Sequence, residues 1–273
     1  MSAVVPGGAA PVVPTAHGVP TSSAQAGSPI PARGDGQAVT ADSFVIAIDG
    51  PAGTGKSTVA RRVAQSLGGG YLDTGAMYRI VTLAVLDAGV DPTDQAAVRD
   101  LLRQLDFDVP VNAGRQHHRL AGRDVTTEIR GQQVTLAVTP VSANPDVRAF
   151  LLQRQRALAS AGRMVVEGRD IGTVVVPDAT LKIYLTADPT ERARRRHRQN
   201  TGSAGHGSTR SADHAADLAA VAVDLDRRDT KDSTRLHSPL HAAADAVVID
   251  SSGQDVGETV GRVLALARER GVR

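Results

Sequence analysis

An α/β fold, with a central parallel sheet flanked by helices, is what this sequence predicts, on three observations. Short apolar runs such as Phe44–Ile48 and Leu181–Leu185 read as buried strands. Segments of helical spacing alternate with these runs, the pattern of a parallel sheet covered on both faces. A glycine-rich loop, residues 50–55, joins the first strand to the first helix.

Taken in order, residues 1–42 are rich in Pro, Gly, Ala and Ser, with Arg33 and Asp35 as the only charges before Asp42. They show no helical or strand period and are expected to form a disordered extension. Order begins at Phe44. Lys56–Leu67 has helical spacing and stops at Gly68-Gly69-Gly70. Gly75–Leu86 reads as a second helix. Asp106–Val111 and His117–Leu120 flank a polar turn at residues 112–115 and read as a hairpin. Asn144 before Pro145 supplies an N-cap and a proline at the first helical position, opening a helix to about Ala161. Met164–Val166 is a further buried strand. Asp188-Pro189-Thr190-Glu191 starts a basic helix. Residues 199–212 form a Gly/Ser-rich insert expected to be mobile. Ala246–Ile249 is a last strand and Asp255–Arg268 a last helix.

The chain has 273 residues, enough to bury a full core, and a net charge of +2 that gives no general pull toward nucleic acid. Aromatic residues are only 2%, too few for a platform that stacks single-stranded bases. There is no cysteine, which excludes disulfides, thiolate metal sites and cysteine nucleophiles. No run approaches the length of a membrane span, and the N-terminus lacks the pattern of a signal peptide. A cytoplasmic protein with no membrane or nucleic-acid partner is expected.

Gly50-Pro51-Ala52-Gly53-Thr54-Gly55-Lys56-Ser57 fits the phosphate-loop pattern G-x-x-x-x-G-K-[ST] in full. Glycines let the backbone curl so that successive N–H groups point at phosphate oxygens. The following helix adds the positive end of its dipole. Lys56 supplies a charge to the β- and γ-phosphates, and the Ser57 hydroxyl suits a magnesium ion. A chance glycine-rich turn would not need to lie between a buried strand and a helix, as this one does. GTPases usually carry N-K-x-D, but Asn112, Asn144 and Asn200 are each followed by a residue other than Lys.

Further cationic segments suit a second anionic substrate. They are Asp73-Thr74-Gly75-Ala76-Met77-Tyr78-Arg79, Gly168-Arg169-Asp170 at the end of a strand, the run ERARRRHR from Glu191 to Arg198, and Arg228–Arg235. Ligands of open α/β sheets bind at the carboxyl ends of strands. The stretches IDGPAGTGKST, YLDTGAMYR, EGRDIGTVVVPDA (residues 167–179) and RRDTKDSTR followed by Ser238-Pro239-Leu240 together resemble the bacterial-type cytidylate kinases. The likeness runs over residues 44–270. The phosphate loop is generic, whereas the combination of DTGAMYR with GRDIGTVV and PDA is narrow.

The resemblance implies a P-loop kinase fold with a small monophosphate-binding insert and a mobile lid. It implies transfer of the γ-phosphoryl group of ATP, with Mg²⁺, to CMP or dCMP, by a monomer. The segments expected are a core at 43–93, the insert at 94–135, core at 136–190, the lid at 191–228 and core at 229–273. By this likeness Gly50, Pro51, Ala52, Gly53, Thr54, Gly55, Lys56, Ser57 and Thr58 cradle ATP. Thr74, Arg79, Thr139, Arg148, Arg169, Asp170, Arg228, Asp232 and Arg235 bind the nucleoside monophosphate, Arg148 near the base. Lys56, Arg228 and the lid arginines Arg195 and Arg196 act on the transferring group.

Blander accounts exist for each residue. Arg79 reads alone as an exposed helix arginine, and Arg169–Asp170 as a structural ion pair. Arg228, Asp232 and Arg235 at i, i+4 and i+7 suit a salt-bridged helix face. The basic run suits a solvated face, and Tyr78 the core. The competing functions are a P-loop kinase for another small acceptor and a nucleotide-binding regulatory protein that touches RNA.

Overall fold

The computed structural model describes Met1 and residues 43–203, 211–235 and 238–273. The expected extension over residues 1–42 lies, Met1 aside, outside the described residues, as does the middle of the expected insert at 199–212.

Five strands form one parallel sheet: β1 (Phe44–Asp49), β2 (Gly70–Asp73), β6 (Arg163–Glu167), β7 (Leu181–Thr186) and β8 (Val247–Asp250). Their order is β2-β6-β1-β7-β8. Ile46, Ile48, Leu72, Ile183 and Leu185 are wholly or almost wholly buried, as strands covered on both faces require. One face packs against α1 (Lys56–Ser66) and α8 (Val256–Glu269), with Val59, Val63, Val260 and Val263 in that core. The other packs against α2 (Thr74–Asp87) and α5 (Pro145–Ala159), where Met77, Ile80, Val147 and Leu151 are buried. No helix among the described residues is long and apolar enough to cross a membrane.

Several local expectations are met. The Asn144 side chain accepts from the Asp146 and Val147 amides and so caps α5, with Pro145 in its first turn. Asp255 and Glu258 form a complete capping box on α8. Other elements differ. Gly70 stops no helix; it opens β2, an edge strand of four residues too short to show a period. Segment 94–135 contains α3 (Gln95–Leu102) and a small antiparallel sheet of β3 (Phe107–Asp108), β4 (Arg119–Leu120) and β5 (Arg123–Asp124). The expected hairpin is therefore a three-stranded unit with two-residue strands, and Val98, Leu102, Leu120 and Ile129 join the core of α2. Next comes α4 (Gln132–Ala143), with Pro140 inside it, the residue that hides this helix from the sequence. The basic helix α6 runs from Pro189 to Ser203, and α7 from Ser211 to Thr234. Both reach into the segment expected to be an irregular insert.

Candidate active site

Three strand ends meet at the carboxyl edge of the sheet. β1 ends at Asp49 and runs into the phosphate loop, β2 ends at Asp73 and runs into α2, and β6 ends at Glu167 before Gly168-Arg169-Asp170. Gly50 is required where it stands. A Cβ there would lie 2.1 Å from the Leu185 carbonyl oxygen, at a φ of +142°. Gly55, at φ +90°, turns the chain into α1. Lys56 Nζ donates to the Pro51 carbonyl at 2.7 Å. Burial and the neighbouring Arg169 pull its pKa down, since both disfavour the ammonium.

Asp49 fixes the loop after β6. Its two carboxylate oxygens accept from the Ile171 and Gly172 amides, each at 2.8 Å, and burial raises its pKa to about 6. These bonds start the π-helical turn at Ile171–Val175, which presents Arg169 and Asp170 to the cleft. Arg169 donates to the Gly50 carbonyl at 2.6 Å and pairs with Asp232 at 3.1 Å. Asp170 pairs with Arg148 and lies 4.0 Å from Arg235.

The structure gathers most of the residues singled out in the sequence. Arg79 donates to the Ile129 carbonyl and the Thr135 hydroxyl. Its pKa falls to about 9 through burial and through Arg228, Arg196 and Arg130. Arg196 is lowered by burial and by Arg228 and Arg130, and Arg228 by burial and Arg169. A continuous field of guanidinium groups thus runs from the phosphate loop to α2. Arg148 and Asp170 line a cavity of about 190 Å³ together with Tyr78, Leu152, Gln155 and Val175. Thr139, Asp232 and Arg235 line a second cavity of about 390 Å³.

Two residues take other places. The Thr74 hydroxyl is buried and donates to the Glu167 carbonyl at 2.7 Å, tying α2 to β6. Arg195 spends its donors on Glu191, the Thr54 carbonyl and Ser251, whereas its neighbour Arg196 joins the guanidinium field. Adjacent helix positions point about 100° apart, which a sequence motif does not resolve.

Sequence reasoning missed several residues. Tyr78 lines the smaller cavity, with the Arg148 guanidinium 5.7 Å from its ring centre. Arg130 pairs with Asp73 at 3.2 Å. Arg192 donates to the Ala52 carbonyl at 2.7 Å and pairs with Asp229, whose carboxylate accepts from the Ala52 amide at 3.3 Å. Glu167 is buried; its Oε1 accepts from the Tyr71 phenol at 2.6 Å and its Oε2 has no partner. Burial and Asp73 raise its pKa. A signal was present for Glu167, the last residue of a buried strand beside a phosphate loop. Arg130 carried none.

The family model for cytidylate kinase matches residues 46–269. A cytidylate kinase of Mycolicibacterium paratuberculosis is 51% identical over 227 residues, covering 83% of this chain and 96% of the relative. One from Rhodococcus opacus is 49% identical over 233 residues, covering 85% and 98%. One from Nocardia farcinica is 52% identical over 218 residues, covering 80% and 90%. With the family model matching most of its length and these relatives about half identical to it, this chain belongs to the cytidylate kinase family.

Proposed function

We propose that the protein transfers the γ-phosphoryl group of ATP to a phosphate oxygen of CMP or dCMP, forming ADP and CDP or dCDP. The observation that carries this reading is the convergence of Arg79, Arg130, Arg196 and Arg228. Arg228, Arg196 and Arg130 all lower the pKa of Arg79, a cost that the protein bears where anions are to be held. The smaller cavity suits a pyrimidine ring, since roughly 150 Å³ accommodates benzene.

In this reading Gly50 to Thr58 bind ATP, with Lys56 on its β- and γ-phosphates. Arg148 and Asp170 face the base. Thr139, Asp232 and Arg235 lie toward the sugar, with Thr74 as a buried tie beneath the site. Arg79, Arg169 and Arg228 hold the acceptor phosphate, and Arg196 closes on the transferring group from α6. The acceptor oxygen attacks the γ-phosphorus in line, a new P–O bond forms, and the bond to the ADP oxygen breaks. A phosphate monoester has a second pKa near 6, so its oxygen is already an anion at neutral pH and needs no general base. Catalysis then rests on positioning and on neutralising charge in a loose transition state.

The residues also fit magnesium. The exposed Ser57 hydroxyl lies beside Glu167, whose Oε2 is buried without a partner. Two oxygen donors beside the phosphates suit a hard cation. When bound, Mg²⁺ would neutralise charge on the ATP phosphates. The reading takes the protein as a cytoplasmic monomer acting on free nucleotides.

The test is ADP release from ATP·Mg²⁺ with CMP, dCMP, UMP, AMP, GMP or shikimate, beside a Lys56→Ala control. Turnover with CMP and dCMP that the control lacks supports the reading. Turnover with another acceptor alone would discard the base assignments, starting with Arg148. No acceptor-dependent release from folded, ATP-binding protein would discard the kinase reading.

A further inference from the structure

We infer that Gln155 reads the pyrimidine ring: its side-chain amide donates a hydrogen bond to the ring N3 of a bound cytosine. The inference rests on the cytidine nucleotide reading above and adds a specificity residue to it.

Gln155 lies on α5, two helical turns after Arg148, so the two side chains share a face. Both line the smaller cavity with Asp170. Gln155 is 2% exposed, and its Nε2 has no hydrogen-bond partner. Arg148 Nε and Arg235 Nη2 are also buried without hydrogen-bond partners. Two of these donors, Gln155 Nε2 and Arg148 Nε, belong to residues that line the one cavity, and a buried donor left unpaired is destabilising, so the cavity calls for a ligand rich in acceptors. A buried amide without partners is otherwise a poor choice over leucine. Tyr78 lines the same cavity beside Gln155.

The chemistry of the two pyrimidines decides the consequence. Cytosine N3 carries a lone pair and accepts; uracil N3 carries a hydrogen and donates. Facing an N–H of Gln155, uracil brings donor against donor, the kind of mismatch by which a polar pocket rejects an analogue.

The test compares kcat/KM for CMP and UMP in the wild type, Gln155→Met and Gln155→Glu, with thermal unfolding and ATP affinity as checks on folding. Methionine keeps the length and removes the donors. It should lower kcat/KM for CMP about tenfold or more while UMP changes much less. Glutamate, an acceptor for uracil N3–H, should move the ratio further toward UMP. Equal losses for both nucleotides, or no loss, would overturn the assignment and leave Gln155 a packing residue. Selective ¹⁵N-glutamine labelling of wild-type protein gives a second readout free of any folding defect. One side-chain NH₂ signal should move on saturation with CMP and stay with UMP; identical responses overturn the proposal. Wild-type protein that neither binds nor phosphorylates CMP would overturn the functional reading itself. CMP turnover with an unchanged ratio in both variants would overturn Gln155 alone.

Discussion

The Arg169 guanidinium donates to the Gly50 carbonyl at 2.6 Å while pairing with Asp232 at 3.1 Å. One side chain therefore ties the first residue of the phosphate loop to α7. Because Asp49, next to Gly50, also anchors the turn after Asp170, the phosphate loop, that turn and α7 share one seam.

Arg169→Ala should lower kcat by about 10²–10³, the range found when a preorganised charge-stabilising donor is removed. Arg169→Lys should restore little, since an ammonium cannot reproduce a fork that uses Nη1 on Gly50 and Nε on Asp232. Steady-state kinetics in both substrates checks this; full rescue by lysine would reduce the seam to a point charge.

Arg195 and Arg196 should separate. Arg196→Ala removes a cation from the guanidinium field and should lower kcat by roughly 10² or more with an unchanged melting temperature. Arg195→Ala breaks bonds to Thr54 and Ser251 and should act on ATP affinity and on stability. Kinetics and thermal unfolding of the two single variants distinguish these roles.

Their contrast marks how much the sequence reveals. Residues held by local rules were legible: the strand–loop–helix of Gly50–Ser57, the Asn144 cap and the Asp255 capping box. So was the grouping of Arg148, Asp170, Asp232 and Arg235, through motifs whose order along the chain is distinctive. What escaped depends on tertiary packing. β2 is four residues whose pairing partner, β6, lies some ninety residues away. α4 forms despite Pro140 because Val134, Val138 and Val141 bury. Arg130 enters the site only because a short helical turn at Glu128–Arg130 sets it beside Asp73.

Tyr71→Phe should weaken magnesium binding. The phenol bond to Glu167 Oε1 is lost, leaving both carboxylate oxygens buried and without that donor. Stability should fall by about 1–3 kcal/mol, and the Mg²⁺ concentration for half-maximal rate should rise. A magnesium titration of the rate, run beside thermal unfolding, reads both effects.

His118 gives the fold an acid sensitivity. It is fully buried, neither ring nitrogen has a hydrogen-bond partner, and burial lowers its pKa below the usual 6.5. Asp73, Asp124 and Asp108 oppose that shift, and Arg130 adds to it. The unfolded chain then binds the proton more readily than the folded one. Stability from this residue is present above about pH 6.5 and is lost as pH falls below it. Melting temperatures from pH 7.5 to 5.5 should drop more steeply for the wild type than for His118→Leu. Parallel curves would show that His118 is not the source.

The central claim is that the guanidinium field guides a phosphoryl group to a nucleotide rather than to water. The most direct test is to follow the label from ATP carrying ³²P at the γ-position, with and without CMP. The account predicts labelled CDP forming in step with ADP, dependent on CMP and abolished by Lys56→Ala. Label released as inorganic phosphate at the same rate with or without CMP would contradict it.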